Sequence, residues 1–116
     1  MDTNTINRYA ARLWDNYVEL FPKLVKYDCP KIVLCNRLTR TAGKNYQKLN
    51  KIHLGNKFFV KHQKEMLTVI LPHEMAHQID YNLFGLSEKR CGHGKNWAKI
   101  MVKLGLEPRI YHSMEL

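Results

Sequence analysis

Residues 66–84 read MLTVILPHEMAHQIDYNLF, and the conformation of this stretch decides the rest of the chain. Its apolar residues do not alternate as a strand requires. Met66, Val69, Ile70 and Ala76 fall on or beside one helical face, while Leu67, Leu71, Met75 and Ile79 make an opposite stripe. A helix that is apolar nearly all round belongs inside the protein. The pattern therefore predicts a buried helix from about Gln63 to Phe84, with Gly85 as its C-terminal cap. Pro72 cannot donate a helical hydrogen bond and is expected to kink or tighten the turn ahead of the polar residues that follow.

Those polar residues are His73-Glu74-Met75-Ala76-His77, an H-E-x-x-H motif. Two His four apart share one helical face, ~5–6 Å apart at Cβ, so both imidazoles reach a single Zn²⁺ at ~2.0–2.1 Å. Glu74, one position on, points at a water on that metal. The motif thus supplies two ligands and a general base. A catalytic zinc site needs a third protein ligand, for which the candidates are Asp80, Cys91, His93 and His112. Asp80 lies a turn beyond His77 and suits a supporting carboxylate better. His93, set between Gly92 and Gly94 ahead of a helix, is free to fold back onto the metal and is favoured. The interval from His77 to His93 is too long for a metzincin. Tyr111 and His112 in the tail are candidates for the oxyanion donor.

Outward from this helix, Asn4 or Thr5 caps a first helix marked by Ile6, Tyr9, Ala10, Leu13, Tyr17, Leu20 and Phe21 and closed by Pro22. Lys31–Asn36 (KIVLCN) reads as a strand, followed by a turn-rich stretch, TRTAGKN, around Gly43. Further strands are expected at Tyr46–Leu54 and Phe58–Val60, with Gly55-Asn56 as the turn between them. A last helix runs from about Lys95 to Leu104, stopped by Gly105 with Pro108 beyond. Trp97 is expected to pack against the motif helix. The fold class is α+β, helices on a small, mainly antiparallel sheet.

The 116 residues suffice for one domain, 1–116, and 45% apolar with 25% charged residues excludes a disordered or low-complexity chain. No stretch approaches the ~18 apolar residues of a membrane helix, and the N-terminus MDTNTINRYA has no signal core, so a cytoplasmic location is expected. Cys29, Cys35 and Cys91 are odd in number and contain no C-x-x-C pair, which encodes neither a disulfide framework nor a zinc ribbon.

The net charge of +9 is unevenly placed. Residues 23–64 carry eleven Lys and Arg against one acid, Asp28, while the remaining eight basic and nine acidic side chains nearly cancel. A basic third of this kind fits a polyanion or a solvated Lys-rich face. Its lysines interleave with Tyr27, Tyr46, Phe58 and Phe59, the composition of a platform that neutralises phosphates and stacks bases. Lys31, Arg37, Arg40, Lys44, Lys48, Lys51 and Lys57 are the candidate nucleic-acid contacts, with single-stranded DNA favoured. Lys95, Lys99 and Lys103 form a second basic stripe on the last helix.

Taken in order, TAGKNYQKLNKIHL, LPHEMAH, FG, HGKNW and LGLEPRIYHSMEL resemble the SprT-like zinc metalloprotease family. The resemblance runs from about residue 31 to the C-terminus and is weaker in the first helix. It implies a zincin-like fold, one catalytic Zn²⁺ held by His73, His77 and His93, and Glu74 as the catalytic base. Relatives such as Spartan are DNA-dependent proteases that cleave proteins crosslinked to DNA, so the resemblance implies a protein substrate and a DNA partner. Bacterial members often continue into a cysteine zinc ribbon. This sequence ends at Leu116 without one, and DNA engagement is expected from the domain itself. Two other readings carry different chemistry: a non-catalytic, zinc-stabilised nucleic-acid module, and a scaffold whose basic face binds an acidic protein.

Overall fold

The first amphipathic stretch folds as α1, Thr3–Leu20, in the computed structural model, which describes residues 1–85 and 94–108. Asp2 caps it, in place of Asn4 or Thr5: its carboxylate accepts the Thr5 N–H at 2.8 Å, and an anion suits a helix N-terminus. Ile6, Ala10, Trp14 and Tyr17 form the buried stripe, whereas Leu20 is exposed. A 3-10 turn, Pro22–Lys26, follows and is tied back to α1 by the Trp14 indole donating to the Tyr27 carbonyl at 3.1 Å.

Among the described residues three strands form the sheet: β1, Lys31–Cys35; β2, Gly43–Tyr46; and β3, Lys51–Gly55. Their spatial order is β1-β3-β2, with β1 parallel and β2 antiparallel to β3. The sheet is therefore mixed, and β2 is an edge. The strand expected at Tyr46–Leu54 is interrupted by a 3-10 turn, Gln47–Leu49, and by Asn50, whose φ of 52° is a left-handed conformation that Asn tolerates. The stretch around Gly43, expected as a turn, supplies β2 instead.

Phe58–Val60 is not a strand. It lies in α2, Asn56–Lys61, and the Gly55-Asn56 turn is the junction between β3 and that helix. The reason is geometric: consecutive strand side chains point to opposite faces, yet Phe58 and Phe59 are both buried, which a helix end can arrange.

Below the sheet, Ile32, Ile52 and Leu54 are fully buried against α1 and the motif helix. That helical run proceeds as α3, Gln63–Glu65, a π turn, Met66–Ile70, and α4, Leu71–Phe84. Every residue from Leu71 through Asp80 is buried, as the all-round apolar pattern requires. Gly85 follows at φ +78°. Helix α5, Lys95–Lys103, packs on α4 through Trp97, Ile100 and Met101 and stops before Gly105, at φ +80°.

Strand β2 sits on α4 at unusually close range. A Cβ added to Gly43 would lie 3.0 Å from Ile70 Cγ2 and 3.1 Å from Glu74 Cγ. A side chain here would press on both of those side chains. We expect Gly43→Ala to cost about 1–3 kcal/mol in urea unfolding, the scale of an overpacked core; a variant as stable as the parent would show that the strand moves aside freely.

Candidate active site

The π turn is the device that admits Pro72 to the helix. Pro72 has no N–H for the Thr68 carbonyl, and its ring crowds that carbonyl in a regular helix. The preceding turn widens in response: the Leu71 N–H bonds to Met66 O, five residues back. Of the two expectations for Pro72, a kink or a tightened turn, the second is corrected: the turn ahead of the motif is widened. From it, α4 delivers His73 and His77 on one face and Glu74 toward β2.

All three side chains are buried, with His73 5%, Glu74 8% and His77 8% exposed. His73 Nε2 lies 3.3 Å from His77 Nε2 and 3.8 Å from Glu74 Oε2, and one ligand atom from each residue falls within 4.8 Å of the others. Two nitrogens bound at ~2.0–2.1 Å to one tetrahedral ion stand ~3.3–3.4 Å apart. The imidazole pair has that spacing, so the donor set fits a tetrahedral metal.

Trp97 of α5 forms the wall behind the pair. Its ring stacks on His77 at 5.2 Å and 15°, and meets His73 edge-on at 5.1 Å and 66°. This contact fixes the orientation of both imidazoles through packing, and Trp97 is itself only 1% exposed.

The Asn45 backbone N–H donates to the Glu74 carboxylate, which lowers its pKa. Burial is the larger effect and raises that carboxyl from 4.5 to about 7. The position of Asn45 follows from the ladder. Gly55 N–H bonds to Ala42 O at 2.7 Å, and the alternation of an antiparallel pair then turns the main-chain groups of Gly43 and Asn45 to the open edge of β2. Asp80 is also buried, and burial raises its carboxyl above the ordinary value, but it is not in the His73–Glu74–His77 group.

A family model described as SprT-like family matches residues 7–113. The chain belongs to the SprT-like family. The match takes in α1, where the sequence resemblance was weaker. Protein SprT of Vibrio atlanticus (strain LGP32) is 33% identical over 92 residues, covering 78% of this chain and 53% of its own length. Protein SprT of Vibrio parahaemolyticus serotype O3:K6 is 33% identical over 78 residues, 66% of this chain and 46% of that one. Protein SprT of Salmonella arizonae is 31% identical over 107 residues, 90% of this chain and 62% of that one. The SprT-like chain thus spans about half the length of the curated relatives it matches. No solved structure matches it.

Of the residues expected at the site, His73, Glu74 and His77 come together in this SprT-like chain. Cys91, His93, Tyr111 and His112 lie outside the described residues. Phe58 and Phe59, expected beside the lysines as stacking groups, are core residues at 5% and 3% exposure, because α2 turns both beneath the surface. Lys31, Arg37, Arg40, Lys44, Lys48 and Lys57 are exposed, and Lys51 is half-buried. On α5, Lys103 lies over the Phe21 ring at 4.6 Å, so part of that basic stripe serves packing. Sequence reading did not single out Asn45 or Gln78 and took Gly43 for a turn residue; the only local signal was a Gly before alternating residues and an amide in an apolar helix.

The raised Glu74 carboxyl has a sign that can be measured in the metal-free protein. The fold holds the Glu74 proton more tightly than the unfolded chain does. Its contribution to stability is complete below pH 4.5 and is lost as pH rises through about 7. Comparing EDTA-treated wild type with Glu74→Gln, we expect equal Tm shifts at acid pH and a widening advantage for Gln up to neutrality; a pH-independent difference would contradict the assignment.

Proposed function

We propose that this SprT-like chain is a zinc-dependent endopeptidase acting on proteins associated with DNA. The observation that supports this most directly is the 3.3 Å imidazole pair with the Glu74 carboxylate 3.8 Å from it. His73 and His77 would hold the zinc, joined by His93 from the segment ahead of α5; a set of imidazoles suits Zn²⁺. When bound, zinc polarises the scissile carbonyl and acidifies a water.

The remaining work falls to side chains and backbone of this chain. Glu74 takes the proton from the attacking water and returns it to the leaving amine; a buried carboxyl near neutrality is suited to both transfers. The outward peptide groups of Gly43 and the Asn45 carbonyl offer an extended substrate a strand to pair with, beside the carboxylate that holds the Asn45 N–H. Trp97 keeps the imidazoles oriented and excludes water from behind them.

DNA engagement is proposed for the sheet face turned away from α1 and α4. The register aligns Lys31, Lys51 and Tyr46 across one row and Val33, His53 and Lys44 across the next. Lys31 and Lys51 are direct cross-strand neighbours, a like-charge pairing that costs stability and that a phosphate relieves. Tyr46 lies under the Lys44 ammonium at 5.0 Å and 4.7 Å from the His53 ring, leaving an aromatic group within a cationic surface.

Two experiments test the reading. Glu74→Gln is expected to retain zinc at the wild-type ratio by metal analysis while cleavage of a DNA-bound protein falls by ~10²–10⁴; a variant that cleaves normally removes Glu74 as the base and sinks this mechanism, and a wild type that never cleaves favours the non-catalytic zinc module. Lys31→Glu with Lys51→Glu is expected to reduce the log–log salt slope of single-stranded DNA binding by about 1.4, ~0.7 per phosphate contact. An unchanged slope would remove the sheet face from consideration.

A further inference from the structure

Gln78 is 1% exposed, the most deeply buried of the polar side chains on α4. A buried amide is costly unless its donors and acceptor are met, and a Leu or Met in its place would be cheaper for stability alone. Here they are met, largely by the edge strand and the turn after it. Asn45 Nδ2 donates to Gln78 Oε1 at 2.8 Å and to Lys51 O at 3.1 Å. Gln78 Nε2 donates to Gln47 O at 3.2 Å and to Asn82 Oδ1 at 3.0 Å, and Gln47 Nε2 returns a longer bond to His77 O at 3.4 Å.

Gln78 stands one helical turn beyond Glu74, on the same face. Asn45 is consequently held by α4 at two successive turns: its backbone N–H by Glu74, its side chain by Gln78. Apolar packing between a strand and a helix permits sliding, whereas a hydrogen-bonded amide pair admits one register. The pair also carries a residual cost, because Asn45 Oδ1 is buried without a partner among the described residues. Stability by itself does not select such an arrangement.

We propose that Asn45 and Gln78 are a positioning pair that sets the register of the β2 edge against Glu74, so that a peptide laid along β2 meets the general base at one fixed depth. This rests on the endopeptidase reading above. Neither side chain touches the reacting atoms; both act through the placement of the strand.

The test separates positioning from packing with three variants: Gln78→Met, Asn45→Leu and the double replacement. Each single change strands polar partners and lowers Tm, while the double removes both sides of the Asn45–Gln78 bond and recovers the part of the loss due to that bond, with Lys51 O, Gln47 O and Asn82 Oδ1 still deprived of their donors. With zinc content equal to wild type, kcat/KM on an unfolded protein substrate is expected to fall ~5–30-fold in each single variant and to stay low in the double, despite its regained Tm. Amide exchange at Asn45, followed by NMR, is expected to quicken in Gln78→Met while core amides keep their protection. If activity instead returns with Tm in the double variant, the pair is a packing feature and the proposal fails. A wild type with no zinc-dependent cleavage refutes the endopeptidase reading, and the exchange arm then decides the pair: an unchanged Asn45 amide in Gln78→Met overturns it.

Discussion

Strand β2 meets the motif helix closely at Gly43, where the nearest atoms to an added Cβ would be the Ile70 and Glu74 side chains at 3.0 and 3.1 Å. That approach lets a backbone N–H from the sheet reach a carboxylate on the helix and lets Asn45 reach Gln78. Among the described residues it also leaves β2 at the edge of a three-stranded sheet, with the outward Gly43 groups and the Asn45 carbonyl beside Glu74. A methyl group at position 43 would press on the Ile70 and Glu74 side chains, the second of which carries the carboxylate. Much of the site's geometry is downstream of this one contact.

Burial does two opposing things at the centre. It holds His73 and His77 at the spacing of two ligands to one ion, with the Trp97 ring as a rigid backing. It also disfavours the Glu74 anion, and the Asn45 N–H offsets part of that cost. A site assembled this way is pre-organised by the surrounding core, so its side chains need little rearrangement to take up a metal. The same sheet presents an opposite character on its far face, where Lys31, Lys51 and Lys44 stand around Tyr46. Both surfaces share β2, which places the basic face and the carboxylate on two sides of one strand.

Elements governed by a long periodic pattern were legible in the sequence. Helices α1, α4 and α5 follow from apolar spacing over two or more turns, and the H-E-x-x-H spacing places both imidazoles on one face wherever the helix sits. Short elements were not. The run Tyr46–Leu54 has strand composition throughout, yet a 3-10 turn and a left-handed Asn50 divide it. Phe58 and Phe59 read equally well as strand or helix, and only the need to bury both chose the helix. The parallel pairing of β1 with β3 depends on contacts between segments about twenty residues apart, which no local pattern encodes.

By itself the sequence determined the buried helix, the two imidazoles and carboxylate it carries, and the confinement of excess positive charge to residues 23–64, because each is a matter of spacing along the chain. Tertiary structure alone decided which strand lies beside Glu74, how Asn45, Gln47 and Gln78 interlock, and which lysines share a face. Those outcomes arise from close packing across elements distant in sequence, which local preference along the chain does not encode.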